Sequence, residues 1–271
     1  MKHLLTLSFC FFLFSLSGQT SVWSDIEESR ILLPQDAEVA GPVSEYRTLS
    51  MDMDAMKSEL LQAPMEFSEA ARQSPARISL PMPDGQLLEL EVVESPVMAP
   101  ELAARYPELK AYAARAVGNP GITARLDISP YAFHALVNTP AGWVAIAPYA
   151  SNQTRYYRSY YARNEMVDPA DAPPLSCGVT AGHELELEEE DRELLEQRTA
   201  LSFRSSQAVP LRTYKMALAC TGEYAQQKGG TLESVLATFN TSMNLLNAIY
   251  LNEFAIRFEL IPDNDNLIFL D

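Results

Sequence analysis

Tyr214-Lys215-Met216-Ala217-Leu218-Ala219-Cys220 opens the stretch whose reading decides the fold. Tyr214, Met216, Leu218 and Cys220 alternate with Lys215, Ala217 and Ala219, the period of two that a strand requires. Gly229-Gly230 then breaks the chain, and Thr231 stands where a hydroxyl can cap a helix. Leu232, Val235, Leu236, Phe239, Met243, Leu246 and Tyr250 follow at helical spacing. Phe254, Ile256, Phe258 and Leu260 alternate again, and Asp263-Asn264-Asp265-Asn266 turns the chain toward a further strand over 267–270. Strand, helix and strand in that order predict a right-handed parallel crossover. With Asp271 as the last residue, the sequence reads as stopping inside this α/β unit, its sheet unfinished.

Upstream the chain changes character twice. Asp168-Pro169-Ala170-Asp171-Ala172-Pro173-Pro174 reads as a proline-rich linker, and residues 184–193 hold seven acids in ten positions, the composition of a solvated tether. Residues 19–165 predict an α+β domain rich in β-hairpins. A helix is expected over 52–62, capped by Ser50, with Met53, Met56, Leu60 and Leu61 on or near one face. Strands over 77–80 and 87–93 flank the turn Pro81-Met82-Pro83-Asp84-Gly85. Residues 99–117 have a helical pattern interrupted near Pro107, and the breaker cluster Gly118-Asn119-Pro120-Gly121 precedes short strands over 122–128, 132–137 and 143–147. Tyr156, Tyr157, Tyr160 and Tyr161, interleaved with Arg155, Arg158 and Arg163, predict an edge strand. The other reading of that stretch is a stacking platform for single-stranded nucleic acid.

Charge weighs against that second reading. With 36 acidic side chains against 20 Lys and Arg, the net charge is −16. Phosphate binding needs clustered cations, so nucleic acid is excluded as a partner. At the N-terminus, Lys2 and His3 precede an apolar run over 4–16, and Ser15-Leu16-Ser17 offers small residues at a cleavage site. Residues 1–18 therefore read as a secretory signal, too short for a membrane span. The expectation is a secreted or cell-surface protein with no membrane attachment after signal removal. Two cysteines then remain, Cys177 and Cys220, which could join as a disulfide in an oxidising compartment.

Pro174-Leu175-Ser176-Cys177-Gly178-Val179-Thr180 resembles the cysteine-switch motif in the prodomains of reprolysin/ADAM-type zinc metallopeptidases, differing at Leu175 and Ser176, where a basic residue and Met are usual. Residues 211–224, 243–250 and 255–260 resemble the start of the catalytic domain in bacterial reprolysin-like metallopeptidases, which are metzincins. The resemblance implies a signal over 1–18, a prodomain over 19–165, a linker with the switch over 166–210, and the first β-α-β unit of a metzincin-like catalytic domain over 211–271. It implies that the Cys177 sulfur fills the open fourth position of a catalytic zinc and holds the zymogen latent. Processing is expected within 198–212, where Arg198, Arg204 and Arg212 lie. The partners would be polypeptide substrates and, for the prodomain, its own catalytic domain.

The family's zinc motif, H-E-x-x-H-x-x-G-x-x-H, is absent. Of the three histidines, His3 is in the signal, His134 lies in a strand-like run where a lone His is a structural residue, and His183-Glu184 is followed by Leu187 where the second ligand belongs. The zinc is therefore expected in the full-length protein, and this chain alone is expected to bind none and to cleave nothing. A reading from another class stays open: a secreted non-catalytic binding or inhibitory module, in which Cys177 acts on a separate metallopeptidase or bridges to Cys220.

Overall fold

The structure, a computed structural model, describes residues 21–151, 153–166 and 210–271. Its first nine strands are β1 (Trp23–Asp25), β2 (Arg47–Met51), β3 (Ala76–Pro81), β4 (Leu87–Glu94), β5 (Lys110–Ala116), β6 (Asn119–Ile128), β7 (Phe133–Thr139), β8 (Gly142–Pro148) and β9 (Tyr156–Tyr161). Every neighbouring pair is antiparallel, in the order β1-β2-β9-β8-β7-β6-β5-β4-β3. Alternate residues of each strand face inward. Leu49, Leu80, Leu90, Leu126, Phe133, Ile146 and Tyr157 meet there in one apolar core. The two ends of the sheet approach each other. Arg47 of β2 donates to the Met82 carbonyl at 3.0 Å, and Ser159 of β9 donates to that of Pro81 at 2.8 Å. The result is a nearly closed barrel.

This corrects the expected fold class. Residues 21–166 form an antiparallel barrel with few helices rather than an α+β domain. The first helix is α1 (Met53–Leu60), and its cap is Asp52, which accepts from the Ala55 N–H; Ser50 belongs to β2. After α2 (Glu69–Gln73), the helix expected over 99–117 survives only as α3 (Pro100–Arg105). Lys110–Ala116 is a strand. Its alanines favour a helix, but β4 and β6 pair with both of its edges, and tertiary context overrides so weak a preference. The Tyr/Arg strand is not at an edge either. β9 lies between β2 and β8, and the buried Arg158 sits 5.4–6.0 Å from the ring centres of Tyr46, Tyr149 and Tyr160.

Beyond residue 210 come β10 (Arg212–Met216), α4 (Gly222–Gln227), α5 (Leu232–Phe254) and β11 (Ile256–Leu260), with β10 and β11 paired in parallel. They do not stand apart as the opening of a separate metzincin-like α/β domain. Helix α5 lies across the outer face of β5, β6 and β7. A second apolar cluster joins Val97, Met98, Leu102, Leu109 and Ala111 to Val235, Leu236, Phe239, Met243, Leu260 and Ile268. The far edge of β11 meets the segment after β4, where the Leu260 N–H donates to the Val97 carbonyl at 2.8 Å. Residues 267–270 form no strand; Ile268 makes only an isolated bridge to Cys220. Among the described residues no helix is long and apolar enough to cross a membrane.

Candidate functional site

The chemistry of this molecule gathers where α5 covers the barrel. Antiparallel pairing turns Leu126 and Ile128 of β6 into the core, and the same pleat turns Arg125 and Asp127 outward, beneath the helix. On α5 lies a polar stripe, Asn240, Asn244 and Asn247, at spacings that share one face of a helix; Asn244 meets Arg125, Asn240 donates to the Lys110 carbonyl and Asn247 bonds the Phe258 backbone. All three asparagines are buried. Arg125, 5% exposed, donates from Nε to Asn244 at 2.8 Å and from Nη1 to the Ser95 hydroxyl at 2.7 Å. Burial is the main force on this guanidinium, and the neighbouring Arg257 adds to it. Together they bring its pKa down to about 10, which leaves it charged at neutral pH.

Asp127, 1% exposed, accepts from Thr241 Oγ1 at 2.6 Å and pairs with His134 Nδ1 at 3.1 Å. Hydroxyl, imidazole and carboxylate thus meet, but not as a nucleophile relay. A relay places the carboxylate on one ring nitrogen and the hydroxyl on the other. Here Thr241 Oγ1 lies 3.5 Å from the same Nδ1 that faces Asp127. The arrangement satisfies a buried carboxylate. Arg257 of β11, 8% exposed, pairs with Glu66 and donates to the Pro96 carbonyl at 2.7 Å, while its Nε has no hydrogen-bond partner among the described residues.

The residues singled out by sequence are scattered. Cys177, Arg198 and Arg204 lie outside the described residues. Arg212 opens β10 with its side chain exposed and its N–H on the Ala255 carbonyl. Cys220 is a half-buried free thiol packed against the second core. Among the described residues there is no group of three or more His, Cys, Asp and Glu side chains able to hold a metal, and His134 is committed to Asp127. The described residues do not fit a catalytic zinc.

Sequence reasoning missed Arg125, Asp127, Arg257 and the asparagine stripe. Charges alternating with apolar residues along a strand ordinarily mark a solvated face, and only the helix lying over β6 reverses that meaning. The one available signal was Asn240, Asn244 and Asn247 at helical spacing, a polar seam on a helix that is otherwise largely apolar.

Beside this seam the outer barrel wall, the Glu66–Pro75 segment and the end of α5 enclose a groove of about 540 Å³. No family model, curated protein or solved structure matches the chain.

Proposed function

We propose that this chain carries the signal, the pro-segment and the opening of the catalytic unit of a secreted zinc endopeptidase made as a zymogen. In this reading the barrel is the pro-segment's holding domain. The observation that carries it is the seam between the barrel and the segment whose sequence resembles a catalytic start. Arg125 to Asn244, Asp127 to Thr241 and Glu66 to Arg257 all cross that boundary. Buried polar contacts of this kind penalise any other register, because a misplaced partner leaves a charge unpaired. A pro-segment needs such a surface, specific for one partner and separable from it after cleavage. The cysteine-switch resemblance at 174–180 supports latency through Cys177. No hydrolytic step is assigned to the described residues, which hold no zinc set.

The test is peptide hydrolysis by unprocessed full-length protein. Cys177→Ser, or a thiol-modifying mercurial on the wild type, is expected to release activity, and Cys220→Ser is expected to leave the protein latent. Unchanged latency under both treatments of Cys177 overturns the switch. Peptide hydrolysis by residues 1–271 alone overturns the assignment of the chemistry to the rest of the protein. The groove supports a second reading, a binding module, through the ligand chemistry set out next.

A further inference from the structure

The groove holds four arginines against two glutamates in a chain whose net charge is −16. Two of the four are accounted for. Arg125 is bonded to Asn244 and Ser95, and Arg257 to Glu66. Glu91, the other acid, is drawn to Arg77 at 3.0 Å. That leaves Arg72 and Arg115, both exposed, with no side-chain hydrogen bond or ion pair among the described residues. In so acidic a protein, two unengaged guanidinium groups at one groove depart from the surface average. Their planar forks match carboxylates bidentately.

The groove is also aromatic. Trp143, half-buried, lies along it, and Phe67 is 71% exposed at its rim. The Phe67 backbone is at φ +62, a conformation that bulky L side chains rarely adopt. The turn thus holds a phenyl ring toward solvent at the cost of backbone strain, where burial would stabilise the protein. The volume of about 540 Å³ falls within the range of ligand sites, roughly 300–1,000 Å³.

We infer that this groove binds an acidic peptide segment of a partner protein, two carboxylates engaging Arg72 and Arg115 and an apolar side chain resting on Phe67 and Trp143. The basis is charge complementarity joined to an exposed aromatic surface. It is independent of the zymogen reading, since neither Cys177 nor zinc takes part. Successive side chains of an extended peptide point to opposite sides. An acid–leucine alternation therefore presents its charges along one side and its apolar groups along the other. The chain's own charge repels such a peptide only weakly beyond the Debye length, about 8 Å at physiological salt.

The experiment titrates the 1–271 chain with a synthetic peptide of alternating Glu and Leu, following Trp143 fluorescence and calorimetric heat. Trp143→Phe identifies the optical signal, because Trp23 is buried in the barrel core. Saturable binding is expected to weaken at least tenfold between 0.1 and about 0.5 M salt, where screening shortens the electrostatic range. The Arg72→Glu/Arg115→Glu variant is expected to lose at least tenfold in affinity with its melting temperature unchanged, since both side chains are exposed. A Gln–Leu peptide is expected not to bind. Equal binding by the Gln–Leu peptide, or by the arginine variant, overturns the proposal. So does full competition by millimolar inorganic phosphate, which would make this a phosphate site. Binding that appears only after residues 184–193 are deleted also overturns it, by assigning the groove to the chain's own acidic run.

Discussion

At the scale of single residues, two charged side chains carry consequences that can be measured. Arg125 is buried with its charge intact, and its Nε is satisfied by Asn244 alone. Asn244→Ala leaves that donor buried and unpaired, so it is expected to cost about 1.5–3 kcal/mol, read from the shift in denaturant midpoint. Arg47 behaves differently because it works at the barrel's closure. Its guanidinium grips both Asp25 oxygens, at 2.6 and 2.8 Å, while it donates to the Met82 carbonyl across the gap. The Arg47 hydrogen bond holds the Asp25 carboxyl below its ordinary value of 3.8. A carboxylate with a lowered folded pKa stabilises the protein fully above the unfolded value and loses that contribution as pH falls through the folded one. Asp25→Asn is therefore expected to lower stability by a constant amount above about pH 5, a gap that closes as the pH falls below 3.8. Paired denaturant curves at pH 6 and pH 3 check it, and a gap of equal size at both would show that the ion pair contributes nothing.

At the scale of elements, α5 shows what a sequence can and cannot disclose. Thr231 accepts from the Ser234 N–H while Ser234 returns a bond to the Thr231 N–H, a reciprocal cap. The helix ends at Ala255 with φ +52, a position that suits glycine. Thr231→Ala is expected to cost about 1 kcal/mol. Ala255→Gly is expected to raise stability by up to about 1 kcal/mol, since it relieves the left-handed strain at some cost in unfolded-chain entropy. Thermal melts of the two variants, moving in opposite directions, check both ends. The cap and the apolar spacing behind it were legible because both are local. β5 was not legible: the composition of Lys110–Ala116 favours a helix, and its strand state comes from partners on both edges. β9 misled in another way. Its tyrosines and arginines look like a solvent-facing edge, yet Tyr156, Tyr157, Arg158 and Tyr160 are buried, and β2, far earlier in the chain, pairs along the open side. Asp127 failed for the same reason. Its burial depends on Thr241 and Asn244, more than a hundred residues away, and no local window contains that relation.

At the scale of the whole molecule, the question is whether barrel and C-terminal unit fold together. The sequence, read as a prodomain tethered to the unfinished start of a second domain, implies that only the prodomain unfolds cooperatively. The packing argues otherwise. The second core has no owner: Val97, Leu102 and Ala111 lie on the barrel side, and Val235, Phe239 and Leu260 on the other. Separating the units would expose both halves of that cluster and strip Arg125 and Asp127 of their partners on α5, Asn244 and Thr241. In the uncleaved chain 1–271 each half is held by contacts to the other, so a single cooperative transition is expected. Two probes report the halves separately. Trp23, packed edge-to-face on Phe133 and Tyr157 in the barrel core, and Trp143 of β8 both lie in the barrel and report it by fluorescence. Helix α5, with 23 residues the longest described helix, contributes to the helical circular dichroism. In urea the two signals of the wild-type chain are expected to change with one midpoint and one slope. Asn244→Ala is expected to move both midpoints together, because the bond it removes spans the boundary. A helical signal lost at lower urea than the fluorescence signal would mean that the seam is a weak contact and that the barrel folds without the unit it covers.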